Sequence, residues 1–122
     1  MSVRVVVLAQ DLIWADRLAR AVQAAGAEPV RVASLERFEA VLAGTDAAII
    51  DLTALAYDGV AAIGAATTAG ARVLAVGQHD DHELRKRALA AGADRVYAYR
   101  KLFEDGPAIV AAWIGPPAAI TS

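Results

Sequence analysis

The chain has no cysteine. Disulfides and thiolate metal sites are therefore excluded, and the sequence carries no record of its redox compartment. No apolar run reaches the ~18 residues that a membrane span needs. The opening stretch, MSVRVVVLAQD, meets charges too early to read as a secretory signal. Neither sign of charge is in excess: the net charge is −2 and the isoelectric point is about 5.6, which gives no electrostatic reason to expect nucleic acid. These absences lead us to expect a soluble, cytoplasmic protein with no membrane and no nucleic-acid partner. Enzyme signatures are missing as well. There is no Walker A sequence, no G-x-G-x-x-G after the first strand and no G-x-S-x-G elbow. "AQDLIW" lacks the Ser and Thr of a flavin-phosphate loop and the His that a cobalamin site would want. We read the chain as a non-enzyme.

What is present is an ordered apolar pattern. The chain is 57% hydrophobic and 21% charged, so it is globular, and 122 residues suffice for one sizeable core. We assign residues 1–115 to a single domain and 116–122 to a C-terminal tail. Two periods alternate along it. "VRVVVLA" (3–9) is a β-branched run of the kind covered on both faces. Residues 12–26 place Leu12, Ala15, Leu18, Ala19 and Val22 on one helical face, closed by Gly26. Residues 29–33 are strand-like, and Ser34 can cap a helix over 35–43. A buried strand follows at 47–52, a small-residue helix at 58–68 and a strand at 72–77. Asp80 or Asp81 then caps a helix, with Asp80 and Glu83 at capping-box spacing. A strand at 95–99 and a helix at 103–114 complete the pattern. Five strand–helix units with short connections predict an α/β, doubly wound, five-stranded parallel sheet with helices on both faces. The order 2-1-3-4-5 places a ligand crevice outside the carboxyl ends of strands 1 and 3.

That crevice gathers two acids 40 positions apart, Asp11 after strand 1 and Asp51 at the end of strand 3. An ionised carboxylate in an apolar setting is costly unless paired or hydrogen-bonded. Mg²⁺ between two carboxylates is one solution. Capping of the adjoining chain by each Asp is the other.

In order and spacing, "AAIIDLTALAYDG" (47–59), "RLARAVQAAGAEPVRVAS" (17–34) and "HDDHELRKRALAAGADRVYAY" (79–99) resemble a CheY-like response regulator receiver domain, over roughly residues 3–115. The resemblance implies the flavodoxin-like fold and makes Asp51 the phosphoacceptor, with Asp58-Gly59 seven positions on. It also implies Mg²⁺ as the cofactor, held by Asp51 and an acidic pair after strand 1. Those acidic positions fall on Ala9 and Gln10, with Asp11 one place late. The hydroxyl residue that contacts phosphate falls on Gly77. The lysine position falls on Tyr99 in an ungapped count. With one inserted residue it falls on Arg100, and Tyr97 becomes the switch aromatic. The resemblance is therefore to a degenerate, stand-alone receiver that docks on a signalling protein, a histidine kinase or downstream target, with phosphorylation impaired or absent. The alternative is a working receiver in a two-component phosphorelay, phosphorylated on Asp51 with Mg²⁺. Arg85, Arg87, Tyr97 and Tyr99 form the expected partner face.

Three further stretches have plainer readings. "HDDH" (79–82) is better explained as a helix cap than as a metal site. "RKR" (85–87), with no interleaved aromatics, is a solvated helix face. Helices 58–68 and 103–114 carry few charges; an apolar helix without cover would expose Trp113 or Ile109, so a homodimer through one of these helices is a further expectation.

Overall fold

The computed structural model describes residues 3–115; the expected tail, 116–122, lies outside them. The elements follow the predicted alternation: β1 (Arg4–Leu8), α1 (Leu12–Ala24), β2 (Glu28–Val32), α2 (Leu35–Val41), β3 (Ala47–Asp51), α3 (Gly59–Thr68), β4 (Arg72–Gly77), α4 (His82–Ala91), β5 (Arg95–Ala98) and α5 (Tyr99–Ile114). A single 3₁₀ turn, Leu42–Gly44, follows α2. The sheet order is β2-β1-β3-β4-β5, and every pairing is parallel. This is the flavodoxin-like arrangement expected from the sequence.

Side-chain alternation explains why the sheet is covered twice. Val5, Val7, Ile49 and Leu74 point to one side, where Leu18, Val22, Val110 and Trp113 of α1 and α5 meet them. Val6, Leu8, Ile50 and Val73 point to the other, against Phe38, Ile63 and Ala88 of α2, α3 and α4. Strands buried on both faces must be apolar throughout, as 47–50 are.

The caps fix the helix starts. Asp11 accepts from the amides of Ile13 and Trp14, Ser34 from Arg37 and Asp58 from Val60 and Ala61. At α4 the cap is Asp81, which accepts from Leu84, so the Asp80–Glu83 capping box is not the one formed. Gly92 ends α4 at φ 118°, a left-handed conformation that glycine adopts without a Cβ penalty.

Three expectations need correction. Leu12 was placed on the buried face of α1 but is 75% exposed, as is most of Ile13 beside it, and burial of the helix begins at Ala15. Trp113 and Ile109 are buried against the α1–α5 side of the core, so α5 offers no bare apolar stripe and the reason given for a dimer through it falls away. Tyr99 opens α5 rather than closing β5. Within α5, Asp105 departs from helical geometry at φ −128° and ψ 23°, two residues before Pro107. Proline lacks the amide hydrogen and its ring crowds the preceding turn, so the helix kinks there.

Candidate functional site

β1 and β3 pair side by side, and the chain leaving them enters α1 on one face of the sheet and α3 on the other. Between their carboxyl ends lies a crevice of about 410 Å³, lined by Gln10, Asp11, Asp51, Thr53, Ala54 and Leu55. Asp51 is its floor. It is 2% exposed and is the one buried charged side chain among the described residues.

The carboxylate of Asp51 is held by a local turn and by one distant residue. Its Oδ1 accepts from the Thr53 amide at 2.9 Å and from the Thr53 hydroxyl at 2.9 Å. The Tyr99 hydroxyl, 48 residues away in sequence, donates to the same oxygen and also touches the Thr53 hydroxyl. Three donors on one oxygen meet the desolvation cost of the buried charge. The Tyr99 ring in turn packs on Trp14 of α1, with ring centroids 4.4 Å apart. Beneath, the Tyr57 hydroxyl lies 2.8 Å from the Asp51 carbonyl and 3.0 Å from that of Leu8, tying the ends of β3 and β1.

Both phenols titrate above the ordinary 10.0. Tyr57 is raised by burial first and then by the Asp51 charge. Tyr99 is raised by burial first and then by its hydrogen bond to Asp51. Each stays neutral across the physiological range, so the group on Asp51 is a donor without a charge.

The other expected residues are dispersed. Tyr99, and not Arg100, reaches Asp51. Arg100 does not line the crevice: its side chain is 87% exposed and pairs with Glu104 at 3.6 Å, one turn along α5. Gly77 is the last residue of β4, paired with Ala98, not a turn residue. A Cβ there would meet Leu52 at ordinary contact distances of 3.6 and 3.7 Å, so no steric conflict with a neighbour keeps a side chain out. Gly77, Arg85 and Tyr97 line a separate cavity of about 10 Å³, room for one water at most. Tyr97 is half-buried, and its hydroxyl accepts from Arg95 at 3.3 Å. Arg85 and Arg87 are exposed on α4.

The donor set does not fit Mg²⁺ as the resemblance implies it. Ala9 is buried and offers no oxygen from its side chain. Gln10 spends its Oε1 on the amides of Leu55 and Ala56, at 2.9 and 3.2 Å. Asp11 spends its Oδ1 on the α1 cap. Among the described residues no group of three His, Asp or Glu side chains could hold a metal ion. Asp11 and Asp51 do line one crevice, but as a cap and a hydrogen-bond acceptor. Thr53 and Tyr57 were not singled out from the sequence. The one available sign was Thr two residues after a strand-ending Asp, a spacing at which an Asx turn forms.

No family model and no curated protein matches the sequence. Solved structures do match by fold. A CheY-like receiver domain from Methanospirillum hungatei is 18% identical, with a TM-score of 0.75 over 93% of this chain and 98% of that one. The BeF3-activated DrrB receiver domain is 17% identical, with a TM-score of 0.81 over 93% and 98%. A response regulator from Burkholderia pseudomallei, solved with a phosphorylated aspartic acid, a calcium ion and citrate, is 16% identical, with a TM-score of 0.78 over 97% and 69%. At these identities the likeness is one of fold, and the fold is that of CheY-like receiver domains. None of the helices among the described residues is long and apolar enough to cross a membrane.

Proposed function

We propose that this chain is a receiver-fold signalling module that acts by docking on a partner protein and does not take up phosphate at Asp51 in the ordinary way. One observation carries the reading: a neutral phenol, Tyr99, occupies the place beside Asp51 where the resemblance calls for a lysine. Transfer of a phosphoryl group to a carboxylate builds negative charge that fixed cations and donors must meet. Each preorganised donor lost costs about 3 kcal/mol of barrier. Gly77 supplies no hydroxyl and Arg100 faces solvent. The Tyr99 hydroxyl also occupies Oδ1, one of the two carboxylate oxygens that could attack.

The partner is a signalling protein that reads the α4–β5 side, where Arg85 is exposed beside Tyr97 and Arg87 is exposed on the same helix. The test uses the full chain with Mg²⁺ and either a small phosphodonor or beryllofluoride, followed by mass and amide NMR spectra. We expect no added mass and no Mg²⁺-dependent shifts around Asp51. A gain of one phosphoryl group, abolished in Asp51→Asn, overturns the proposal and establishes a working receiver.

A further inference from the structure

Five large apolar side chains are exposed among the described residues, and four of them lie on or beside α1: Leu12 and Ile13 in its first turn, Leu55 beside that turn and Phe103 along its length. Leu12 is 75% exposed and Ile13 67%; both line a groove with Asp16, Arg17 and Arg20. The two arginines also line the next groove, about 300 Å³, which is floored by Leu102 and Phe103 of α5. Phe103 is 59% exposed, with the Arg17 guanidinium 4.3 Å above its ring. Leu55, 96% exposed, adjoins from the crevice side, where its amide is held by Gln10 next to Asp11. Single exposed leucines need no explanation, but a contiguous group with a charged rim marks an interaction surface.

The charges of the rim decide what it fits. Asp11 and Asp16 stand against Arg17 and Arg20, two of each sign. A nucleic acid or an anionic membrane would need a one-sided positive rim, and a strongly acidic partner would too. Asp16 already pairs with Arg20 at 2.8 Å and with Arg31 at 3.7 Å. Arg17 has no acidic partner within salt-bridge distance among the described residues. An apolar centre ringed by balanced charge is complementary to itself under a two-fold axis, which brings the Arg17 of one copy to the acids of the other. We infer that this α1–α5 face binds a second copy of the chain. It lies on the other side of the sheet from α4, so the dimer leaves Arg85 and Arg87 free, and it holds whether or not Asp51 is phosphorylated.

Sedimentation velocity of the full chain, from low micromolar to near-millimolar concentration, reads the equilibrium. Amide spectra along the same series map the face without any substitution. We expect a monomer–dimer equilibrium, concentration-dependent shifts confined to the start of α1 and to α5 around Phe103, and a change in Trp14 emission. Ile13→Glu and Phe103→Glu should each weaken association by about tenfold or more, as apolar anchors do, with unchanged circular dichroism. Leu89→Glu, at an exposed apolar position on α4, should leave it unchanged. A chain that stays monomeric throughout, a dimer that survives both glutamates, or shifts that map to α4 would overturn the inference.

Discussion

Both ends of the sheet use carboxylates, and they use them differently. At the amino end, Asp46 accepts from the Arg4 amide and Asp94 from the Val73 amide, at 2.9 and 2.8 Å. Each holds one backbone group of an adjoining strand. Arg72 there reaches the carbonyls of Trp113 and Ile114, both at 2.8 Å, and so secures the end of α5. At the carboxyl end a single buried acid, Asp51, gathers a turn hydroxyl, a phenol from α5 and, through that phenol, an indole from α1. The amino end is a set of independent ties. The carboxyl end is one connected network, and a network of this kind can be read or perturbed from several elements at once.

The largest expected effect lies in that network. Tyr57→Phe removes the hydroxyl that lies between the Leu8 and Asp51 carbonyls and leaves two buried acceptors short of a donor. It should cost about 2 kcal/mol in chemical denaturation, and a loss under a few tenths would show that water replaces the hydroxyl freely. Next comes Tyr99→Phe, at about 1.5 kcal/mol, reduced from the range for charged acceptors because the residue is half-exposed. Combined with Asp51→Asn, its effect should be non-additive by at least about 0.5 kcal/mol; additive values would dissolve the network into separate contacts. Asp46→Ala and Asp94→Ala should each cost about 1 kcal/mol and add when combined, since they hold different amides. The effect of pH is absent at neutrality and confined to alkali. A phenol raised in the folded state contributes stability that is complete below the unfolded value of 10.0 and is lost as pH rises toward the folded value. Stability should thus be indifferent to these two groups up to pH 10.0 and fall above it. Ultraviolet absorbance of the folded chain should show fewer phenolates near pH 10 than the same chain in denaturant at the same pH.

Most of the fold was legible because its signals are local. Continuous β-branched runs, caps at Asp11 and Ser34, and glycine stops recur at the spacing of a parallel sheet, and 2-1-3-4-5 is a common order for five such strands. The faults are at element ends, where tertiary packing sets the boundary: the Asp81 cap in place of Asp80, the exposed Leu12, and Tyr99 taken from strand to helix. The site was legible only in part. The placement of Asp51 follows from the topology, because a strand-ending acid in this fold opens on the crevice. Its hydrogen bonds do not, because they depend on which of two adjacent residues, Tyr99 or Arg100, lies on the inner side of a helix that starts without a loop. A shift of one residue turns a side chain by about 100°, and nothing in the local pattern around 98–100 fixes that register. Thr53 and Tyr57 look like ordinary loop residues until β1 and β3 are placed side by side.

The kink in α5 bears on how the acid is covered. Because helical geometry lapses at Asp105, the turn that carries Tyr99 is not a rigid continuation of the segment that carries Val110 and Trp113. The latter is anchored in the core; the former has Leu102 as its one buried residue. Local opening at 99–104 therefore breaks few apolar contacts and need not disturb the remainder of the helix. Amide protons in that first turn should exchange well before those of 109–113, and each such opening lifts the phenol off the carboxylate while the sheet stays whole.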